Sequence, residues 1–178
     1  MHGSCVRGEK LFLSMMLAAV MPVMAGSIDR ESSFSSRVLA THNRERHVVG
    51  VPALAWDEAL AASARRRAGG ILRSGSFGHA ATEPSGQERL GENLWAGTAH
   101  AYSPEEMVGL WIEERADFKY GAFPDVSKSA KLERVGHYTQ LIWRRTGRVG
   151  CAKASNGRDD FLVCRYSVSG NVMGERPI

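Results

Sequence analysis

His137-Tyr138-Thr139-Gln140-Leu141-Ile142-Trp143 marks the point where the character of the chain changes. From Tyr138 onward residues that favour extended structure dominate, in the runs Tyr138 to Trp143, Val149 to Lys153 and Phe161 to Val168. Runs of this length suit strands. Asn156-Gly157 separates the last two and predicts a β-hairpin.

Upstream, the periodicity is helical. Residues 33–46 place Phe34, Val38 and Leu39 at helical spacing. His42 shares that face and reads as a hydrogen-bonded core residue rather than a ligand. Gly50-Val51-Pro52 breaks the segment. A second helix is expected from Trp56 to Ala68, with Trp56, Leu60, Ala64 and Ala68 on one stripe and Gly69-Gly70 ending it. Residues 73–90 read as loop. Ser103-Pro104-Glu105-Glu106 then supplies an N-cap, a proline at the first helical position and a capping-box glutamate, opening a helix that extends to about Phe118. Residues 121–135 read as irregular. Helices first and strands mostly later give an α+β fold, a sheet covered by helices.

The third helix holds the most informative position. Met107, Leu110, Trp111 and Phe118 gather on one face, and Glu114 projects into the middle of it. Glu113 points roughly 100° away, toward solvent. A carboxylate amid an apolar stripe needs a partner. The candidates are His79 in Phe77-Gly78-His79-Ala80, Glu92 in Gly91-Glu92-Asn93-Leu94-Trp95, and His137. Two imidazoles and two carboxylates suit a hydrogen-bonded cluster or a divalent-metal site, zinc in particular. Spacing alone does not establish that they converge.

The 178 residues, 43% hydrophobic and 24% charged, fit one globular domain. Arg7 and Lys10 precede an apolar run from Leu11 to Val20, and Val23-Met24-Ala25 follows. Residues 1–25 therefore read as a secretory signal peptide and 26–178 as a single domain, with no transmembrane segment after signal removal. Cys5 leaves with the leader. Cys151 and Cys164 remain, an even pair bound for an oxidising compartment, and a disulfide is expected. The net charge of +4 is mild. Arg65-Arg66-Arg67 and Arg144-Arg145 lack aromatic interleaving and read as solvated faces, so nucleic acid is not an expected partner.

The seven-residue stretch matches the HYTQxxW signature of the CAP superfamily, which contains cysteine-rich secretory proteins, venom antigens and plant pathogenesis-related proteins. Cys164-Arg165-Tyr166-Ser167-Val168-Ser169-Gly170-Asn171 resembles its second C-terminal signature. Gly91-Glu92-Asn93-Leu94 resembles its GENL segment, and Ala40-Thr41-His42-Asn43 with Arg46 and Leu54-Ala55-Trp56 its opening helix and turn. The matches run in family order over nearly the whole expected mature chain. The resemblance implies a three-layer α-β-α sandwich with a central, mostly antiparallel sheet and a groove (the SCP domain). It also implies that His79, Glu92, Glu114 and His137 form the family's cavity tetrad, a candidate metal site. Lys131 to Val135 stands where many eukaryotic members carry a cysteine, and the single disulfide resembles bacterial members. No cysteine-rich C-terminal module is in view, so channel-blocking roles are not implied.

Members of this superfamily are linked to lipid binding, host interaction and, in places, proteolysis. The first expectation is a secreted, extracellular or periplasmic protein that binds a lipid, a sterol-like small molecule or an extracellular or cell-envelope protein. The alternative is a metal- or Glu/His-assisted hydrolase, with His137 or Glu92 as general base. Absence of a G-x-S-x-G elbow and of an H-E-x-x-H helix favours binding.

Overall fold

The computed structural model describes residues 25–79 and 89–178, with side chains from residue 33 onward. The expected signal peptide lies almost wholly outside the described residues, as does the central part of the 73–90 loop.

Helix α1 (Ala25–Val48) begins earlier than the apolar pattern suggested. Its buried face is Val38, Thr41, His42, Glu45 and Arg46, a helical stripe that is mostly polar. Buried polar groups need partners, and these have them. His42 Nδ1 lies 2.9 Å from the Val38 carbonyl and Nε2 2.9 Å from the Tyr166 hydroxyl. The carbonyl can only accept, so Nδ1 carries the proton and the hydroxyl donates to Nε2. Burial pulls the His42 pKa down to about 4. The Arg46 guanidinium donates to the carbonyls of Pro52, Leu141, Trp143 and Thr146, and burial lowers its pKa to about 10. The expectation of a core histidine at position 42 holds.

The sheet is four-stranded, with β1 (Ala55–Trp56), β3 (Arg148–Ser155), β4 (Asp159–Ser167) and β2 (Gly91–Thr98) side by side in the order β1-β3-β4-β2. β1 is parallel to β3, and the other pairings are antiparallel. The expected hairpin is β3–β4, turning at Asn156-Gly157 with Gly157 at φ 86°. Cys151 and Cys164 face each other in its register and are disulfide-bonded. Alternation divides the sheet's two faces. Leu94, Ala152 and Val163 face α2 (Glu58–Ser74), packing on Ala64, Ala68 and Ile71. Trp95, Val149, Cys151, Leu162, Cys164 and Tyr166 face the opposite layer, with α1, α3 (Pro104–Glu113) and α4 (Gly136–Leu141). Gly150 lets α2 lie close, since a β-carbon there would strike the Asp57 and Leu60–Ala61 backbone. This is the expected α-β-α sandwich.

Four local expectations fail. Tyr138–Trp143 is not a strand: residues 136–141 form α4, because Glu114 accepts its first backbone N–H groups and Tyr138, Thr139, Gln140 and Leu141 are all buried against different neighbours. Tertiary contacts outweigh β-propensity here. Trp56 lies in β1, and the second helix starts at Glu58 with Asp57 as N-cap. That helix runs through Gly69-Gly70, because buried Ile71 continues its apolar stripe, and it ends instead at left-handed Gly75. A glycine weakens a helix by only about 1 kcal/mol, less than the burial of an isoleucine contributes. The third helix has its predicted capping box but becomes a 3-10 turn at Glu114–Ala116, short of Phe118. Its buried residues are Met107, Val108 and Trp111, whereas Leu110 is 41% exposed.

Candidate functional site

Glu114 sits where α3 tightens into the 3-10 turn, and its carboxylate is fully engaged. Oε2 accepts from the backbone N–H groups of His137 and Tyr138, each at 3.0 Å, and Oε1 lies 2.6 Å from His137 Nδ1. A negative charge at the start of a helix also meets the partial positive charge of the free N–H groups. Trp111 forms a platform beneath the imidazole, its ring centroid 5.9 Å away and nearly parallel. The Trp111 indole N–H donates to the Leu94 carbonyl. Glu113 is exposed, as expected.

The second pair forms at the edge strand. Glu92 is in β2 on the α2 face of the sheet, opposite Arg165 in β4. His79 Nδ1 lies 3.1 Å from Glu92 Oε1. Oε2 is flanked by Arg67 Nε at 3.4 Å and Arg165 Nη2 at 3.3 Å. The Glu92 side chain is 7% exposed, while that of His79 is 65% exposed. Arg67 also donates to the Gly78 carbonyl, which holds the residue before His79 against α2. So Arg67 is not part of a solvated face, whereas Arg65 and Arg66 are exposed.

Asn93 joins the two pairs. One residue past Glu92, it faces the opposite layer and donates to the carbonyl of His137 and to the Tyr166 hydroxyl. The hydroxyl continues to His42, so the site is tied to the interior of α1. The structure thus arranges the four predicted residues as two His–Glu pairs on either side of β2. Among the described residues no three His, Cys, Asp or Glu side chains are gathered to hold a metal ion. In both pairs the carboxylate takes Nδ1, and neither imidazole Nε2 makes a hydrogen bond among the described residues.

Sequence reasoning missed Arg67, Arg165 and Asn93. Arg165 opposite Glu92 becomes readable once the β2–β4 register is known, but β2 itself was seen only as the short Gly91–Leu94 segment. A cavity of about 410 Å³ lies beside Glu114, bordered by Leu110, Asp117 and Arg134.

The CAP family profile, described as the cysteine-rich secretory protein family, matches residues 39–166. The chain belongs to the CAP family. It is 36% identical over 137 residues to a pathogenesis-related protein of PR-1 type from Sambucus nigra, covering 76% of this chain and 77% of that one. Among solved structures, NaASP2 with Zn2+ superposes with a TM-score of 0.66 at 23% identity, covering 80% of this chain and 83% of the other. Na-ASP-1 gives a TM-score of 0.67 at 24% identity, covering 82% of this chain but 41% of that longer chain. The α-β-α sandwich is therefore that of the CAP proteins. Among the described residues no helix is long and apolar enough to cross a membrane.

Proposed function

We propose that this CAP-domain protein is exported through the leader in residues 1–25 and acts as a binding protein, with His79 and His137 as its ligand-facing groups. The observation that carries this reading is the shared geometry of the two pairs. Each imidazole has Nδ1 fixed by a largely buried carboxylate and an Nε2 that makes no hydrogen bond among the described residues. That is how histidines are prepared for metal: a carboxylate on one ring nitrogen sets the tautomer and raises the basicity of the other. His79, oriented by Glu92, and His137, oriented by Glu114, would each offer one imidazole to a divalent cation such as zinc, although no three such ligands are gathered among the described residues. The structure of the related NaASP2 with Zn2+ supports the choice of ion. The ion would add a positive anchor for the polar end of a lipid or other small apolar ligand, or for an extracellular partner.

Calorimetric titration of the purified protein with zinc tests this reading, beside a variant carrying His79→Gln and His137→Gln. The parent is expected to bind zinc with a saturable heat. The variant is expected to fold and to lose the zinc heat. A parent that takes up no zinc overturns the metal reading.

A further inference from the structure

We propose that the α2 face of the sheet carries a second site for a phosphate monoester, adjoining the His79–Glu92 pair but lined by neither imidazole. A cavity of about 540 Å³ opens there, walled by Leu60, Ser63, Arg66, Arg67, Leu90 and Arg165. Leu60, Ser63 and Arg67 are spaced along one side of α2, with Arg66 at its margin, so one helix presents a hydroxyl and two guanidiniums together. Arg165 enters from β4, with 7% of its side chain exposed. No carboxylate lines this cavity among the described residues. Glu92, behind Arg67 and Arg165, offsets one of the three positive charges. Arg66 makes no ion pair among the described residues and is exposed.

The arrangement is suited to anion capture. Arg67 and Arg165 are already held by Glu92, so little side-chain freedom is lost when a ligand arrives. Among the described residues the surplus is about two positive charges, which matches a phosphate monoester, carrying roughly −1.5 to −2 near neutrality, better than it matches a carboxylate. Guanidinium groups bind phosphate oxygens in pairs, through planar and charge-assisted hydrogen bonds. Leu60 and Leu90 offer apolar wall to the organic part of the ester. The monoester could come from a soluble metabolite or from the headgroup of phosphatidic acid, since both present the same group.

Calorimetry with phenyl phosphate, benzoate as the carboxylate of similar shape, and the variants Arg66→Gln and Arg73→Gln tests the site. Arg66 and Arg73 are both exposed on α2, but only Arg66 borders the cavity, so both variants should fold. Phenyl phosphate is expected to bind with one site and more tightly than benzoate. Arg66→Gln should weaken it roughly tenfold, as loss of a charge-assisted hydrogen bond does, and Arg73→Gln should leave it unchanged. Co-sedimentation with phosphatidylcholine vesicles, with and without phosphatidic acid, separates the sources. Capture that phenyl phosphate competes away assigns the lipid headgroup, and phenyl phosphate binding without vesicle capture assigns a soluble ester. The proposal is overturned if phenyl phosphate gives no saturable heat, if benzoate binds equally well, or if Arg73→Gln weakens binding as much as Arg66→Gln.

Discussion

The two His–Glu pairs use the same residue types and differ in what holds the carboxylate. Glu114 is fixed by backbone: the N–H groups of His137 and Tyr138 both bond its Oε2, so the pair is inseparable from the start of α4. Glu92 is fixed by charge, between Arg67 and Arg165, and its histidine reaches into solvent. Backbone bonds of this kind form only if the chain folds this way, and they make the first pair a part of the fold. Ion pairs at a sheet edge can be retuned by one substitution without moving the backbone. The comparison implies that the fold rests more heavily on the first pair, and that the second can change with less effect on the backbone.

Trp111 tests the fold side of that contrast most severely. Its ring is 2% exposed, donates to the Leu94 carbonyl and supports His137. Trp111→Ala should destabilise by about 3–5 kcal/mol, the range for removing a large buried aromatic side chain. Urea unfolding would measure it, with exposed Glu113→Ala as the near-silent control. A Trp111→Ala midpoint matching the parent would contradict the assigned platform.

His42 tests the interior end of the same connection. Burial holds its pKa near 4 in the folded protein, below the ordinary 6.5. Between these values the unfolded chain binds a proton that the folded chain refuses, so acidification favours unfolding. Stability contributed by neutral His42 should be complete above about pH 6.5 and decline as pH falls toward 4. The whole decline is about 3 kcal/mol. Urea midpoints at stepped pH, compared with His42→Gln, check it; parallel curves for the two proteins between about pH 6.5 and 5 would contradict it.

Much of this was legible in the sequence. Ser103 and Glu106 announce α3 because a capping box is local chemistry, complete within four residues. Asn156-Gly157 announces the hairpin for the same reason. Glu114 could be chosen over Glu113 because helical period alone decides which carboxylate points inward. The failures come where distant partners decide. Tyr138–Trp143 has the composition of a strand, and distant partners, among them Arg46, Glu114, Glu45, Asn171 and Gly170, make residues 136–141 helical by meeting the polar groups of this stretch. Arg67 looked like one of three solvated arginines until β2 placed Glu92 beside it. The triplet does not say which of its members faces inward.

Glu114→Ala probes the backbone-held pair directly. It removes the acceptor for two backbone N–H groups and for His137 Nδ1, leaving partly buried donors without a partner. A loss of about 2–3 kcal/mol is expected, at the upper end for hydrogen bonds to a charged group. Hydrogen exchange should locate the weakening at residues 136–141. Uniform loss of protection across the whole molecule, with no added opening at α4, would argue against the capping role.

The smallest stability effect belongs to His79, and it separates the pairs most cleanly. Its side chain is 65% exposed and its contact with Glu92, at 3.1 Å, lies at the surface end of that carboxylate. Glu92 keeps Arg67 and Arg165 when the imidazole is removed, so no buried charge is stranded. His79→Ala should therefore shift stability by no more than about 0.5 kcal/mol, as exposed ion pairs do. If His79 contributes to the proposed zinc site, the same substitution should weaken zinc binding by an order of magnitude or more, because an imidazole ligand is lost. A histidine that belonged only to the scaffold would show the reverse: a clear fall in unfolding midpoint with zinc binding untouched. Measuring both quantities on one variant decides the matter, since stability and affinity are expected to move independently at this position and together at Glu114.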